Sequence, residues 1–123
     1  MRFETIQEYW KVCKGVYDKN SRVLHEHMFA PRVICADGFS VSIQAGSALY
    51  STPREDGLAE YDAYELGFPT MKDPLLEEYA EENVKPDGKY IPTVYPYTPV
   101  DVINQVLKSH GGIVDIDTRH VYD

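Results

Sequence analysis

Residues 32–45 read Arg-Val-Ile-Cys-Ala-Asp-Gly-Phe-Ser-Val-Ser-Ile-Gln-Ala, and their alternation decides the fold class. Asp37-Gly38 tolerates positive φ at both central positions of a two-residue type I′ turn, so the stretch reads as a β-hairpin. On the exit strand Phe39, Val41, Ile43 and Ala45 point one way, and Ser40, Ser42 and Gln44 the other. A turn centred on Asp37-Gly38 sets Ala36 opposite Phe39, Ile34 opposite Val41 and Arg32 opposite Ile43. One face then carries Ile34, Ala36, Phe39, Val41 and Ile43 and needs a helix over it. The other carries Ser40, Ser42 and Gln44, with Val33 and Cys35 beside them, and either meets water or lines a site.

Working outward, residues 3–19 predict an amphipathic helix. Thr5 and Glu8 have capping-box spacing, and Ile6, Tyr9 or Trp10, Cys13, and Val16 or Tyr17 recur at helical intervals. Trp10 is expected against the greasy hairpin face. Residues 59–68 predict a third strand, with Tyr61, Ala63 and Glu65 on one side and Tyr64, Leu66 and Phe68 on the other. Leu66 and Phe68 then join the core, while Glu65 and Tyr61 flank Ser42 and Gln44. Asp73-Pro74 opens a short helix over 73–82. Thr98-Pro99-Val100-Asp101 starts a longer one, which Gly111-Gly112 ends. Residues 113–117 can add an edge strand.

At 123 residues and a formal charge of −8 the chain reads as one domain, 1–123, with one modest core. The acidic balance argues against a nucleic-acid groove, which needs clustered lysine and arginine. No apolar run approaches the ~20 residues of a membrane span, and no signal peptide is expected. Cys13 and Cys35 make no disulfide framework, which favours a reducing, cytoplasmic setting. The ten tyrosines suit ligand pockets and interfaces as well as a core.

Tyr50-Ser51-Thr52-Pro53-Arg54 follows directly from the exit strand. It places an aromatic plate, two hydroxyls and a guanidinium within a few residues, a kit for stacking a base and pairing with a phosphate or carboxylate. The alternative is an ordinary loop with Arg54 paired to Glu55 or Asp56. The candidate ligand-binding set is Ser40, Ser42, Gln44, Tyr50, Arg54, Tyr61 and Glu65, with Tyr95 and Tyr97 as lids. Arg54 would neutralise an anion, a tyrosine would stack a ring, and Gln44 and Glu65 would read a polar edge. Glu77, Glu78, Glu81 and Glu82 form an acidic cluster, either a solvated face or a surface for a basic partner.

A metal reading that joins Cys13, His25, His27 and Cys35 matches no zinc spacing, so neither metal nor cofactor is expected. There is no Gly-rich phosphate loop, Gly-x-Ser-x-Gly, His-Glu-x-x-His or Cys-x-x-Cys. His110, at a helix C-terminus, would keep its proton, favouring a structural or anion-contacting role over a general base. These absences leave enzyme activity open but favour a non-catalytic protein.

The run from Ile34 to Arg54, Tyr64-Glu65-Leu66-Gly67-Phe68-Pro69, Pro74 to Glu81, and Val94 to Val100 with His110-Gly111-Gly112 resembles a family of small phage and prophage proteins of gut and clostridial bacteria. The resemblance implies an accessory protein acting in an infected host's cytoplasm. It would counter host defence by sequestering a nucleotide signal or by blocking a defence enzyme.

The expectation is therefore an α+β fold: an antiparallel sheet of three or four strands built on the hairpin, with N-terminal and C-terminal helices on one face. Exposed edges and many tyrosines favour a homodimer. The function expected is sequestration of a small anionic, nucleotide-like ligand. The alternatives are an acidic inhibitor of a basic host protein, or a small hydrolase of a nucleotide signal.

Overall fold

The computed structural model describes residues 2–20 and 30–117, excluding the side chains of 14–20. His25 and His27, and with them the metal reading, lie outside the described residues. The fold is α+β. Its elements are α1 (Ile6–Asn20), β1 (Arg32–Cys35), β2 (Ser40–Gln44), β3 (Ala63–Gly67), a 3-10 turn (Glu77–Tyr79), β4 (Val94–Pro99), α2 (Val100–Ser109) and β5 (Ile113–Asp117). The strands form one five-stranded antiparallel sheet in the order β4-β3-β2-β1-β5, one or two strands wider than expected.

Thr5 starts α1 as its capping box requires: the Thr5 hydroxyl accepts the Glu8 amide at 3.2 Å. Asn104 of α2 adds a long-range cap, its Oδ1 accepting the Ile6 amide at 2.8 Å, which ties the two helices together. α2 is capped differently from the prediction. Thr98 is fully buried in β4 and donates its hydroxyl to the Tyr95 carbonyl, so Pro99 occupies the cap without a side-chain bond. Gly112 donates to the Leu107 carbonyl at 2.8 Å and Gly111, at φ +87°, to Lys108 at 3.2 Å, the paired bonds of a Schellman stop.

The hairpin forms, but with a different loop. Val33 pairs with Val41 and Ile34 with Ser40, while Cys35 donates to the Phe39 carbonyl and Gly38 to the Cys35 carbonyl. The connection therefore has three residues, Ala36-Asp37-Gly38, a type I turn closed by Gly38 at φ +94°. One residue of register exchanges the faces of the whole entry strand. Val33 and Cys35 go to the core with Phe39, Val41 and Ile43; Ile34 and Arg32 go to the other face.

A single hydrophobic cluster joins both helices to one face of the sheet. It includes Ile6, Tyr9, Trp10 and Cys13 from α1; Ile103, Val106 and Leu107 from α2; Val33, Ile43, Tyr64, Leu66, Tyr95 and Ile113 from the strands; and Phe39 just before β2. Each large apolar side chain buried this way contributes about 1.5–3 kcal/mol. The ring of Trp10 meets Tyr61 and Tyr64, at 5.9 and 5.1 Å, within the cluster that also holds Phe39, Val41 and Ile43 of the hairpin.

Two other expectations are corrected. Phe68 does not join the core: it sits just past β3 at φ +52° and is 45% exposed. Residues 73–82 form only the single 3-10 turn. Asp73 Oδ1 accepts the Leu75 amide and its carbonyl accepts the Leu76 amide, which folds the chain into a tight turn that seats Leu76 in the core.

Candidate functional site

The second face of the sheet is polar, as the exit strand's alternation predicts, but it is not bare. Arg32, Gln44 and Glu65 each hold a piece of neighbouring backbone. Arg32 Nε donates to Ser40 Oγ at 2.8 Å, and its Nη2 donates to the Ser40 carbonyl at 3.0 Å and to the Phe68 carbonyl. The guanidinium also lies 4.2 Å from the centre of the Tyr90 ring. Burial pulls its pKa below the ordinary value, with the Tyr90 hydroxyl and Asp117 opposing.

Gln44 works in the same way at the other end. Its Oε1 accepts the Ala30 amide at 2.8 Å, and its Nε2 donates to the Ala30 carbonyl at 2.9 Å and to Ser42 Oγ at 2.9 Å. The side-chain amide thus imitates a strand neighbour. Glu65, which faces Gln44 across the β2–β3 ladder, accepts the Tyr50 amide at 3.0 Å. Ser40, Ser42 and Gln44 are thus all engaged in hydrogen bonds within the chain.

Tyr50, Arg54, Glu65 and Tyr97 come together. Between Tyr64–Leu66 and Thr98–Tyr95 the ladder advances two residues on β3 and three on β4. The extra residue bulges β4 opposite Glu65. Tyr97 sits there at φ +51°, and its amide, released from the ladder, donates to the Tyr50 carbonyl at 3.0 Å. The Tyr50 and Tyr97 rings stand 5.7 Å apart and tilted by 48°, with 40% and 43% of the residue exposed. The Arg54 guanidinium lies 5.4 Å from the centre of the Tyr50 ring. Two aromatic faces and a cation therefore share one rim.

Tyr61 and Tyr95 do not reach it. Both are core residues, 5% and 2% exposed. The Tyr61 hydroxyl donates to the Glu55 carbonyl at 2.6 Å and accepts the Leu58 amide, bracing the loop from within. A cleft of about 570 Å³ does open beside Tyr61, Pro53 and Pro99, but Glu60, Asp62 and Asp101 line it and would repel an anion.

A second cluster lies at the far end of the hairpin. His110 Nδ1 is 2.6 Å from Asp37 Oδ2, and Nε2 is 2.7 Å from Asp73 Oδ2. Phe39 stacks on the imidazole at 4.0 Å, only 7° from parallel. Burial disfavours the charged ring, yet the hydrogen bonds and charges of the two carboxylates outweigh it and raise the pKa above 6.5. Asp37 moves the other way. Desolvation is overcome by its bonds to His110 and to the Phe39 amide, and its pKa falls below the ordinary value. With both ring nitrogens engaged by carboxylates, His110 bridges Asp37 and Asp73.

Sequence reading missed Arg32 and the carboxylate pair on His110. A signal for Arg32 was present: the two-residue turn put a charge on the core face, which argues against that register. The Asp73–His110 contact spans 37 residues and had no local signal. Among the described residues no His, Cys, Asp and Glu side chains group as metal ligands, and no helix is long and apolar enough to cross a membrane. No family model, curated protein or solved structure matches this chain.

Proposed function

We propose that this chain is a non-catalytic binding protein that sequesters a small, anionic, nucleotide-like ligand at the Tyr50–Tyr97–Arg54 rim. The observation that carries the reading is the pair of half-exposed tyrosine rings, 5.7 Å apart, with a guanidinium beside one of them. Aromatic faces stack on a planar base with little sequence demand, and a guanidinium pairs with phosphate oxygens in a fixed fork. Glu65 and the Tyr97 amide hold Tyr50 by its backbone, leaving its ring for the ligand. The site is narrower than the nine residues read from sequence: Tyr50, Arg54 and Tyr97 make contact, and Glu65 positions Tyr50. The counter-defence role in a host cytoplasm follows from the phage-family resemblance.

Calorimetry against cyclic ADP-ribose, cyclic dinucleotides and linear nucleotides tests the reading. Binding of at least one, weakened tenfold or more by Arg54→Ala and by Tyr97→Ala and without turnover, supports it. Absence of heat across the panel rejects it, and turnover of a bound ligand would make the chain a hydrolase instead. Sedimentation with and without the bound ligand tests the accompanying proposal that the chain is a homodimer.

A specific observation favours the inhibitor as a second reading. Glu77, Glu78, Glu81 and Glu82 are all exposed around the 3-10 turn, and none forms an ion pair among the described residues. This acidic surface suits a basic host protein. Charge reversal at Glu78 and Glu81 should abolish capture of such a partner, and capture should weaken steeply with salt. Capture unaffected by both changes rejects it.

A further inference from the structure

The Asp37–His110–Asp73 bridge ties together three parts of the chain that are far apart in sequence. Asp37 belongs to the hairpin loop, whose amides also bind the end of α2: Ala36 donates to the Gly112 carbonyl and Asp37 to that of His110. His110 caps α2 and is only 11% exposed at its side chain. Asp73, 5% exposed, belongs to residues 69–80, a strap with no regular structure beyond one 3-10 turn. The same carboxyl group that meets His110 shapes the turn delivering Leu76, fully buried, into the core cluster. Leu75 and Met71 on the strap stay exposed, while Leu76 enters the core and Tyr79 and Ala80 pack against it.

We propose that this bridge is a protonation latch: the doubly protonated ring of His110 clamps the strap over the core, and loss of one ring proton releases it. The chemistry follows from the geometry. A neutral imidazole carries one N–H, so the other nitrogen presents a lone pair to a carboxylate at 2.6–2.7 Å. The proton passes to solvent, and the ring is left with one attractive and one repulsive contact. Asp37, 47% exposed at its side chain, can turn to water; Asp73 cannot do so without moving the strap.

The surrounding groups leave the ring as the switch. Asp37 faces it from the hairpin loop and Asp73 from the strap, and Lys108 lies exposed on its own helix. Cys35, against Asp37, is pushed up to about 12 by burial and by that charge. Tyr95 is raised by burial and by Glu77 and Asp73.

Proton NMR of the full chain between pH 6 and 9 tests the latch. The His110 ring is assigned through the Ser109–His110–Gly111 backbone, and amide exchange is followed at Leu76. Both ring nitrogens should carry protons at pH 7, with a midpoint above 6.5. Leu76 protection, corrected for base catalysis, should fall at least tenfold through that midpoint while Val41 in the sheet holds. Asp73→Asn, whose amide can meet a neutral ring, should abolish the step. A midpoint at or below 6.5, or Leu76 protection unchanged across it, overturns the proposal, and neither measurement needs the variant to fold.

Discussion

Arg32 and Ser40 meet side by side on the polar face of the hairpin, the guanidinium Nε donating to the serine hydroxyl at 2.8 Å. This contact exists because the loop between them has three residues rather than two. It turns the arginine into the anchor of the chain that crosses the face, since the same group holds the Phe68 carbonyl and lies against Tyr90.

Removing the anchor should be costly. Arg32→Ala strips a buried, charge-assisted donor from two carbonyls and a hydroxyl, and about 3 kcal/mol of stability should be lost. Arg32→Lys should recover only part, because an ammonium cannot reproduce the fork. Urea denaturation of the three proteins checks the order; equal midpoints would contradict it.

Gly111 tests the C-terminal stop of α2. At φ +87° a side chain is strained, and a Cβ would lie 2.7 Å from the Ala36 Cβ. Gly111→Ala should lose about 2 kcal/mol or more, combining left-handed strain with displacement of the hairpin loop. Gly38→Ala, also left-handed but with open space around it, should lose only about 1 kcal/mol. Thermal melts compare the two.

Tyr64 carries the opposite prediction. It is fully buried, and among the described residues its hydroxyl has no partner of full hydrogen-bond geometry, although the Tyr61 backbone bears on its charge. Burial raises its pKa well above the tyrosine range. Tyr64→Phe removes an unsatisfied polar group while keeping the ring that packs on Trp10. Stability should be unchanged or higher by about 1 kcal/mol.

Stability should depend on pH from both sides of the His110 bridge. The ring's pKa is raised on folding, so its contribution is complete below about 6.5 and fades as pH climbs through the higher folded value. The Asp37 pKa is lowered, so its contribution is present above about 3.9 and fades as pH drops through the lower folded value. Urea midpoints of wild type minus those of Asp37→Asn should be largest between these limits and shrink beyond either one.

Glu65 should act through Tyr50. Glu65→Ala leaves the Tyr50 amide without its acceptor and should lower Tyr50 exchange protection about tenfold, corresponding to ~1.4 kcal/mol. Glu65→Gln keeps an acceptor oxygen and should preserve most of it. Hydrogen exchange at Tyr50 and Tyr97 reads the difference.

Short-range patterns were enough for much of the framework. Alternation from Phe39 to Ala45 named the buried side of β2, Thr5 and Glu8 started α1, and Gly111-Gly112 stopped α2. Each of these is settled by neighbours within a few residues. The Asp-Gly pair marked a reversal without specifying its length, because two- and three-residue loops both accept it. Folding chose the one that keeps Arg32 out of the core.

The candidate site followed the same division. Tyr50 and Arg54 could be read as a kit because they are close in sequence. Their union with Tyr97 required a bulge in β4, and Tyr61 and Tyr95 went to the core because their rings had apolar partners there. Gln44 and Ser40 were legible as polar, but what they would bond was not. Their partners, Ala30 and Arg32, come from across the hairpin, and which groups meet there depends on the register the loop sets, not on the letters beside either one.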